Sequence, residues 1–209
     1  METTVIFATK NTSKIKEINE IMADLGIKVQ SLAEAGVDID VIEDGATFEE
    51  NAIKKAREIN AVTGRLVLAD DSGLEVDYLS KEPGIYSARY AGEDTIYHIK
   101  NQMIIDRLEG VPDEKRTARF VCAIAAVFPD GSVVTKTETI EGMIGYAEAG
   151  ANGFGYDPIF YVPKYRCTTA QMPSELKNRL SHRGKALRAI KGPLEAYYHG
   201  ANDGNENNE

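Results

Sequence analysis

A short apolar run that turns abruptly polar limits how this chain can fold more than any other feature. The stretch 65–74 starts as an apolar, strand-like run and then reads Asp70, Asp71, Ser72 and Gly73. Open α/β sheets carry reactive groups at the carboxyl ends of their strands, so the pattern predicts a buried strand that ends at the two aspartates. The same four residues are common in turns, so a solvated turn is the competing interpretation.

The paired aspartates also predict a positively charged partner. Adjacent carboxylates repel each other and lose hydration when they are partly buried, so a cation is expected to join them. A divalent metal ion is the economical candidate, because carboxylate oxygens are its natural ligands.

Length and composition exclude several classes of protein. The 209 residues suffice for one large domain or two lobes, and 43% apolar with 27% charged residues is typical of a soluble globular chain. The net charge of -9 argues against a protein that coats nucleic acid, because binding many phosphates needs a basic face. We expect a cytoplasmic protein without a membrane partner, since it has two cysteines and its first apolar stretch is too short for a signal peptide or a membrane span.

The beginning of the chain predicts a strand, a polar loop and a helix. Residues 4–8 are β-branched and apolar, residues 9–14 are polar, and apolar residues recur at helical spacing over 15–25. Free backbone N–H groups at such a helix start, together with hydroxyls and a lysine, suit a phosphate group. Plain capping of the helix by Thr12 or Ser13 is the competing interpretation.

A capping box marks the next helix. Thr47 and Glu50 occupy its two positions, and an apolar face continues to Gly64. Before this helix, apolar residues alternate over 37–41 and predict a strand, which is followed by Glu43. This glutamate lies in a loop, where it is either a ligand or an ordinary exposed side chain.

The rest of the chain predicts a mixed sheet. Residues 74–79 can continue the central strand, a helix is expected between Asp94 and Gly110, and two strand-like runs over 116–128 and 132–140 form a hairpin.

The loop 150–158 has three glycines interleaved with two aromatic residues, so its backbone can approach a ligand while its rings stack on a base; the alternative is a flexible loop anchored by aromatics. A short strand over 159–162 and two helices with a break at 181–184 follow it. Residues 1–200 are expected to form one two-lobed domain, and the polar tail 201–209 is expected to be disordered.

Taken together, these residues suggest a site for a nucleoside triphosphate. Lys14, Lys177 and Arg183 would contact phosphate oxygens, the carboxylates would hold magnesium, and Phe154 or Tyr156 would contact a base. The chain has no Walker A or GxGxxG sequence and no recognisable nucleophile pair for covalent catalysis.

Six ordered motifs resemble the inosine/xanthosine triphosphate pyrophosphatases. They are T-x-N-x-x-K-x-x-E at 9–17, E-D-G-x-T-F-x-E-N-A at 43–52, L-A-D-D-S-G-L at 68–74, P-G-I-Y-S-A-R-Y at 83–90, G-F-G-Y-D-P at 153–158 and S-H-R-G at 181–184. The resemblance implies an α/β fold in which helices pack on a long mixed β-sheet, with the active-site cleft between two lobes. It also implies a homodimer that uses Mg²⁺ to hydrolyse deaminated purine nucleoside triphosphates (ITP, dITP, XTP) to the monophosphate and pyrophosphate.

The resemblance assigns a role to each candidate residue. Asp71 would be the general base and, with Glu43, a metal ligand, and Ser72 would touch the substrate. The triphosphate would be held by Thr9, Lys10, Asn11, Thr12, Ser13 and Lys14. The base would be framed by Phe154, Gly155, Tyr156 and Asp157, and base and phosphate would be bound by Lys177, His182 and Arg183.

Base choice and reaction type leave alternatives. His182 and Arg183 are candidate donors to the 6-oxygen of the purine, and backbone N–H groups near Phe154 and Gly155 could serve equally. A pyrimidine triphosphate pyrophosphatase of the related septum-associated family is one rival function. A purine nucleotide-binding protein that does not hydrolyse its ligand is another.

Overall fold

The computed structural model describes residues 3–203, which contain seven strands and five α-helices. The strands are β1 (Thr3–Phe7), β2 (Ile27–Ser31), β3 (Val67–Val76), β4 (Thr117–Val127), β5 (Val133–Ile144), β6 (Phe160–Val162) and β7 (Cys167–Thr168). The helices are α1 (Thr12–Asp24), α2 (Phe48–Thr63), α3 (Tyr97–Arg107), α4 (Ser174–Leu180) and α5 (His182–Asp203).

All seven strands of the described region form one mixed sheet in the order β2-β1-β3-β4-β5-β6-β7. β1 pairs in parallel with β2 and β3, and the remaining neighbours pair antiparallel. The expected α/β class with a long mixed sheet is confirmed. Within the described residues, no helix is both long and apolar enough to cross a membrane.

The central strand does not end at the aspartates, so that prediction is wrong. β3 continues through them to Val76, and Asp70 and Asp71 pair with Ile124 and Ala123 of β4. β1, in contrast, pairs with β3 only as far as Leu68. The aspartates therefore lie at the carboxyl end of β1, where β3 keeps its antiparallel partner and loses its parallel one.

The strand predicted over 37–41 is also wrong. The parallel partners of β1 are β2 and β3, and residues 37–45 have no regular secondary structure. The alternating pattern nevertheless identified the inward side chains, because Val37, Ile39 and Val41 pack on a buried cluster while Asp38 and Asp40 are exposed. An extended segment without a ladder partner shows the same period of two as a strand.

Helix ends follow their capping chemistry. Thr47 caps α2 by accepting from the Glu50 amide, and Gly64 ends the helix in the left-handed conformation, as expected. α1 is capped by Asn11, whose side chain accepts from the Lys14 amide, so the prediction of Thr12 or Ser13 is wrong.

At α3 the expected cap near Asp94 or Thr95 is also absent. Ile96 is the N-cap, and its apolar side chain has no acceptor for a capping bond. The Thr95 hydroxyl donates to the Ala91 carbonyl instead of capping the helix.

Three buried clusters cover the sheet. The α1–α5 core contains Leu68 and covers one face, while the α2 core contains Val67 and Ala69 and covers the opposite face. The α3 core contains Leu74 and lies at the other end of β3. The break between α4 and α5 falls at Ser181 as predicted. α5 runs to Asp203, so the predicted disorder is wrong for residues 201–203. Residues 204–209 lie outside the described residues, and their disorder stays a prediction.

Candidate active site

A cavity of about 290 Å³ opens where β1 stops beside β3. Its walls are the loop after β1, the middle of β3, the loop around residues 153–157 and the start of α5. Most of the predicted site residues line it: Thr9, Lys10, Asn11, Lys14, Glu43, Asp71, Ser72, Phe154, Gly155, Tyr156, Asp157, Lys177, His182 and Arg183. Thr12 and Ser13 do not belong to the lining; they are exposed in the first turn of α1.

Asp70 belongs to a buried ion-pair network on the α1–α5 side of the sheet. Consecutive strand residues point to opposite faces, and Asp70 shares its face with Leu68. Its Oδ2 lies 3.0 Å from Lys14 Nζ and 3.2 Å from Arg183 Nη2, and the Ser72 hydroxyl donates to it. Burial alone would raise the pKa of Asp70, but the charges of Lys14 and Arg183 hold it well below its ordinary value.

Asp71 points to the opposite face and meets α2. Asn51 Nδ2 donates to its Oδ2 at 2.9 Å, and Lys55 Nζ lies 4.0 Å from its Oδ1. The same ammonium is 2.5 Å from Glu43 Oε1, so Lys55 lies between the two carboxylates. Burial raises the pKa of Asp71, and the negative charge of Glu43 raises it further. A carboxylate of raised pKa that borders a cavity suits the role of a general base.

A second ion network forms the wall nearest the loop 153–157. Lys177 Nζ donates to Glu17 Oε1 at 2.5 Å and to Asp157 Oδ2 at 2.6 Å, and Glu17 also accepts from Arg183. The Phe154 ring lies over these cations, 5.2 Å from Lys177 Nζ and 5.6 Å from Arg183 Cζ. This network fixes the position of the ring.

The loop itself is held by its own polar groups. The Phe154 amide donates to Asp157 Oδ2, and the Tyr156 hydroxyl donates to the Ser87 carbonyl. Tyr156 is buried with its ring edge-on to Tyr97, whereas Phe154 is half-buried. Phe154 is therefore the better placed of the two aromatics to stack on a base.

His182 is a neutral side chain in this setting. Its ring stacks on Phe120 with centroids 4.9 Å apart, and its Nδ1 has no hydrogen-bond partner among the described residues. Burial lowers the pKa of His182 well below its ordinary value, and the charges of Arg183 and Lys177 add to this. A neutral imidazole donates from one nitrogen and accepts at the other.

Comparison with known proteins identifies the family of this chain. A model of the Ham1 family matches residues 5–192. The chain belongs to the Ham1 family. A Clostridium perfringens relative named dITP/XTP pyrophosphatase is 48% identical over 196 residues, covering 91% of this chain and 96% of the relative. A Bacillus subtilis relative of the same name is 44% identical over 191 residues, covering 91% of this chain and 96% of the relative.

Solved structures of Ham1 proteins share the fold as well. The Staphylococcus aureus Ham1 protein has a TM-score of 0.82 and 41% identity, covering 93% of this chain and all of its own. A Coxiella burnetii HAM1 protein has a TM-score of 0.83 and 40% sequence identity, covering 93% of this chain and 99% of its own. The resemblance inferred from the six motifs is thus confirmed.

The site of this Ham1 chain also contains residues that were not predicted as site residues from the sequence. Asn51 and Lys55 stand one turn apart on α2, and both contact Asp71. They interrupt the otherwise apolar buried face of the helix, which is a signal that the sequence already carried. Glu17 closes the first motif, is buried on α1 and binds two cations.

The donor set fits a divalent cation that is completed by substrate oxygens. The ion pairs around the cavity join four cations to five carboxylates: Lys14, Lys55, Lys177 and Arg183, with Glu17, Glu43, Asp70, Asp71 and Asp157. A triphosphate would add more negative charge to this excess. Among the described residues, no group of three or more His, Cys, Asp or Glu side chains could hold a metal ion alone. Mg²⁺ commonly uses one or two carboxylates with phosphate and water oxygens, and Glu43 with Asp71 meets that need.

Proposed function

We propose that this Ham1-family chain is a nucleoside triphosphate pyrophosphatase acting on deaminated purine nucleotides such as dITP, ITP and XTP. The observation that carries the proposal is the pair Asp71 and Glu43, which both lie within 4.0 Å of the Lys55 ammonium in a cavity with an aromatic wall. The names of the relatives support the same substrates.

We infer that Mg²⁺ is the cofactor, held by Asp71 and Glu43. When bound, it would neutralise phosphate charge and polarise the attacking water. Lys55 places a positive charge beside both carboxylates; burial opposes its charged form, but Asp70, Asp71 and Glu43 together raise its pKa above the ordinary value.

The chain would orient the triphosphate with the cations that line the cavity. Lys14, Lys177 and the loop from Thr9 to Asn11 would hold the phosphates. Asp71 would accept a proton from water as the water oxygen bonds to the α-phosphorus. The bond from that phosphorus to the bridging oxygen breaks, and pyrophosphate leaves with the electron pair.

Base selection would take place beside the Phe154 ring. Arg183 already donates to Glu17, Asp70 and Ser72, so its guanidinium is fixed in place. Neutral His182 could donate to a 6-oxygen from one nitrogen. We also expect a cytoplasmic homodimer. The motif resemblance supports the dimer, and the two free cysteines, Cys122 and Cys167, support a reducing compartment.

The deciding experiment is a pyrophosphate-release assay with Mg²⁺. We expect kcat/KM for dITP and XTP to exceed the values for dGTP, dATP and TTP. A preference for TTP or UTP would favour a pyrimidine enzyme. Binding of ITP without pyrophosphate release would favour a nucleotide-binding protein and refute the proposal.

A further inference from the structure

Asn51 joins the two carboxylates of the site through a single side chain. It is fully buried in the first turn of α2. Its Oδ1 accepts from the Gly45 amide at 2.8 Å, and its Nδ2 donates to Asp71 Oδ2 at 2.9 Å. Gly45 is two residues beyond Glu43, so the asparagine links the loop of one carboxylate to the side chain of the other.

The loop lies against α2 without spare room. A Cβ at Gly45 would stand 2.7 Å from Asn51 Oδ1 and 2.9 Å from Glu50 Cβ. Glu50 Oε2 also accepts from the Ala46 amide at 2.7 Å. Contact this close means that the loop cannot shift without disturbing the asparagine.

An amide is suited to this position because it offers a donor and an acceptor at once. The bond to Oδ2 fixes the rotation of the Asp71 carboxylate and leaves Oδ1 as the oxygen nearer Lys55. The bond to Gly45 fixes where Glu43 begins. Both ligands of a shared cation are thereby set from one rigid helix turn.

We propose that Asn51 is a positioning residue that holds the Glu43 loop and the Asp71 carboxylate at the separation needed to bind one divalent cation. The inference rests on the proposed function for the identity of the two ligands. Side chains that orient metal ligands typically contribute ten- to a hundredfold to metal affinity or activity.

Two variants disturb this link in different ways. Asn51→Ala removes both hydrogen bonds, and Gly45→Ala keeps the amide but displaces it by the added methyl group. Asn60→Ala is the matched control, because Asn60 stands on the same helix and donates to the carbonyls of Arg65 and Phe128. Gly192→Ala controls for the glycine change, since a Cβ there meets nothing within 4 Å.

The measurements are the dissociation constant of Mn²⁺ for the full chain saturated with pyrophosphate, the melting temperature, and the Mg²⁺ concentration for half-maximal pyrophosphate release. We expect Asn51→Ala and Gly45→Ala to weaken Mn²⁺ binding about tenfold or more and to raise the Mg²⁺ requirement. Asn60→Ala should lower the melting temperature and leave both metal values unchanged. Gly192→Ala should leave the metal values unchanged.

Other results would overturn the inference. Wild-type Mn²⁺ affinity in a folded Gly45→Ala or Asn51→Ala protein would make Asn51 a purely structural residue. Failure of the wild-type chain to bind Mn²⁺ would remove the metal site itself. Mn²⁺ binding that depends on Asn51, in a wild-type chain that releases no pyrophosphate, would refute the proposed function alone.

Discussion

Asp70 and Asp71 are adjacent in sequence but have opposite electrostatic environments. The strand directs Asp70 toward Lys14 and Arg183, which favour its charged form. It directs Asp71 to the opposite face, where burial and the charge of Glu43 disfavour the charged form and outweigh the contacts with α2. Carboxyl groups whose pKa values are driven apart commonly divide structural and catalytic work. We therefore expect the two aspartates to respond differently to the same substitution.

Asp71→Asn should abolish most activity, because it removes the proposed base and a ligand charge while keeping the shape of the side chain. We expect kcat for dITP to fall by roughly 10² or more. Asp77→Asn is the control, since Asp77 pairs with Arg119 and Lys81 and is absent from the cavity lining. Near wild-type turnover at saturating Mg²⁺ would contradict the assignment.

The same substitution should stabilise the metal-free protein at neutral pH. A carboxyl whose pKa is raised on folding binds its proton more tightly in the folded state, so the cost of its charge grows as pH rises above the unfolded value of about 3.9. Asn carries no such cost. The melting temperature of Asp71→Asn should exceed that of the wild type at pH 7, and the difference should disappear near pH 4. An equal gain at both pH values would point to packing instead.

Asp70→Asn should have the reverse effect on stability. Its pKa is lowered on folding, so its contribution is full above the unfolded pKa of about 3.9 and is lost as pH falls toward the folded value. Breaking one partner of a buried ion pair costs about 3–5 kcal/mol. Urea unfolding at pH 7 should show a loss of unfolding free energy near the lower end of that range, because Arg183 retains its ion pair with Glu17. A difference that does not narrow below pH 4 would exclude ionisation as its cause.

Secondary structure was predictable where local chemistry decides it. The Thr47 cap of α2 and the hairpin of β4 and β5 need only nearby residues, and both were confirmed. The second half of the predicted capping box is wrong, because the Glu50 side chain accepts from the Ala46 amide and not from the Thr47 amide. The prediction failed where a partner strand decides, since β3 continues past Asp71 because β4 pairs with it. The strand predicted over residues 37–41 is wrong for the opposite reason, because no strand in the described region pairs with this segment. Periodicity reports which side chains face inward and does not report which strand lies alongside.

The same distinction applies to the site residues. Residues that belong to a recognisable loop motif, such as Lys14 and Phe154, were predicted as site residues and lie at the cavity. From the sequence, Asn51 and Lys55 have no evident role, because they lie on the apolar face of a predicted helix, where core residues are typical. Their partner, Asp71, is contributed by another element, and that contact is a property of the tertiary fold.

The cap of α1 provides a test at the level of one helix. The Asn11 side chain accepts from the Lys14 amide, whereas Ser13 is exposed in the first turn. Asn11→Ala should lower the free energy of unfolding by about 1 kcal/mol, which is typical of a lost N-cap. Ser13→Ala should change it by less than about 0.5 kcal/mol, as surface substitutions do. Urea unfolding of both variants decides, and a larger loss at Ser13 would return the cap to that residue.

The cavity lies beside β3 and β4, and the α1–α5 core and the α3 core are both built on these two strands. β3 carries Leu68 into the α1–α5 core and Leu74 into the α3 core, with the aspartates between them. β4 spans the same distance beside it. Two cores built on common strands cannot separate without breaking those strands, so rigid walls are expected on both sides of the cavity.

We therefore expect one cooperative unfolding transition in the whole chain. Leu68→Ala and Leu74→Ala remove equal side chains, both fully buried, from different cores of one strand. Each should cost about 2–5 kcal/mol and shift the same transition, with the calorimetric enthalpy equal to the van't Hoff enthalpy. If Leu74→Ala instead produced a separate early transition while the rest of the curve stayed in place, the α3 core would be an independent unit. The cavity would then lie at a joint between independently folding parts.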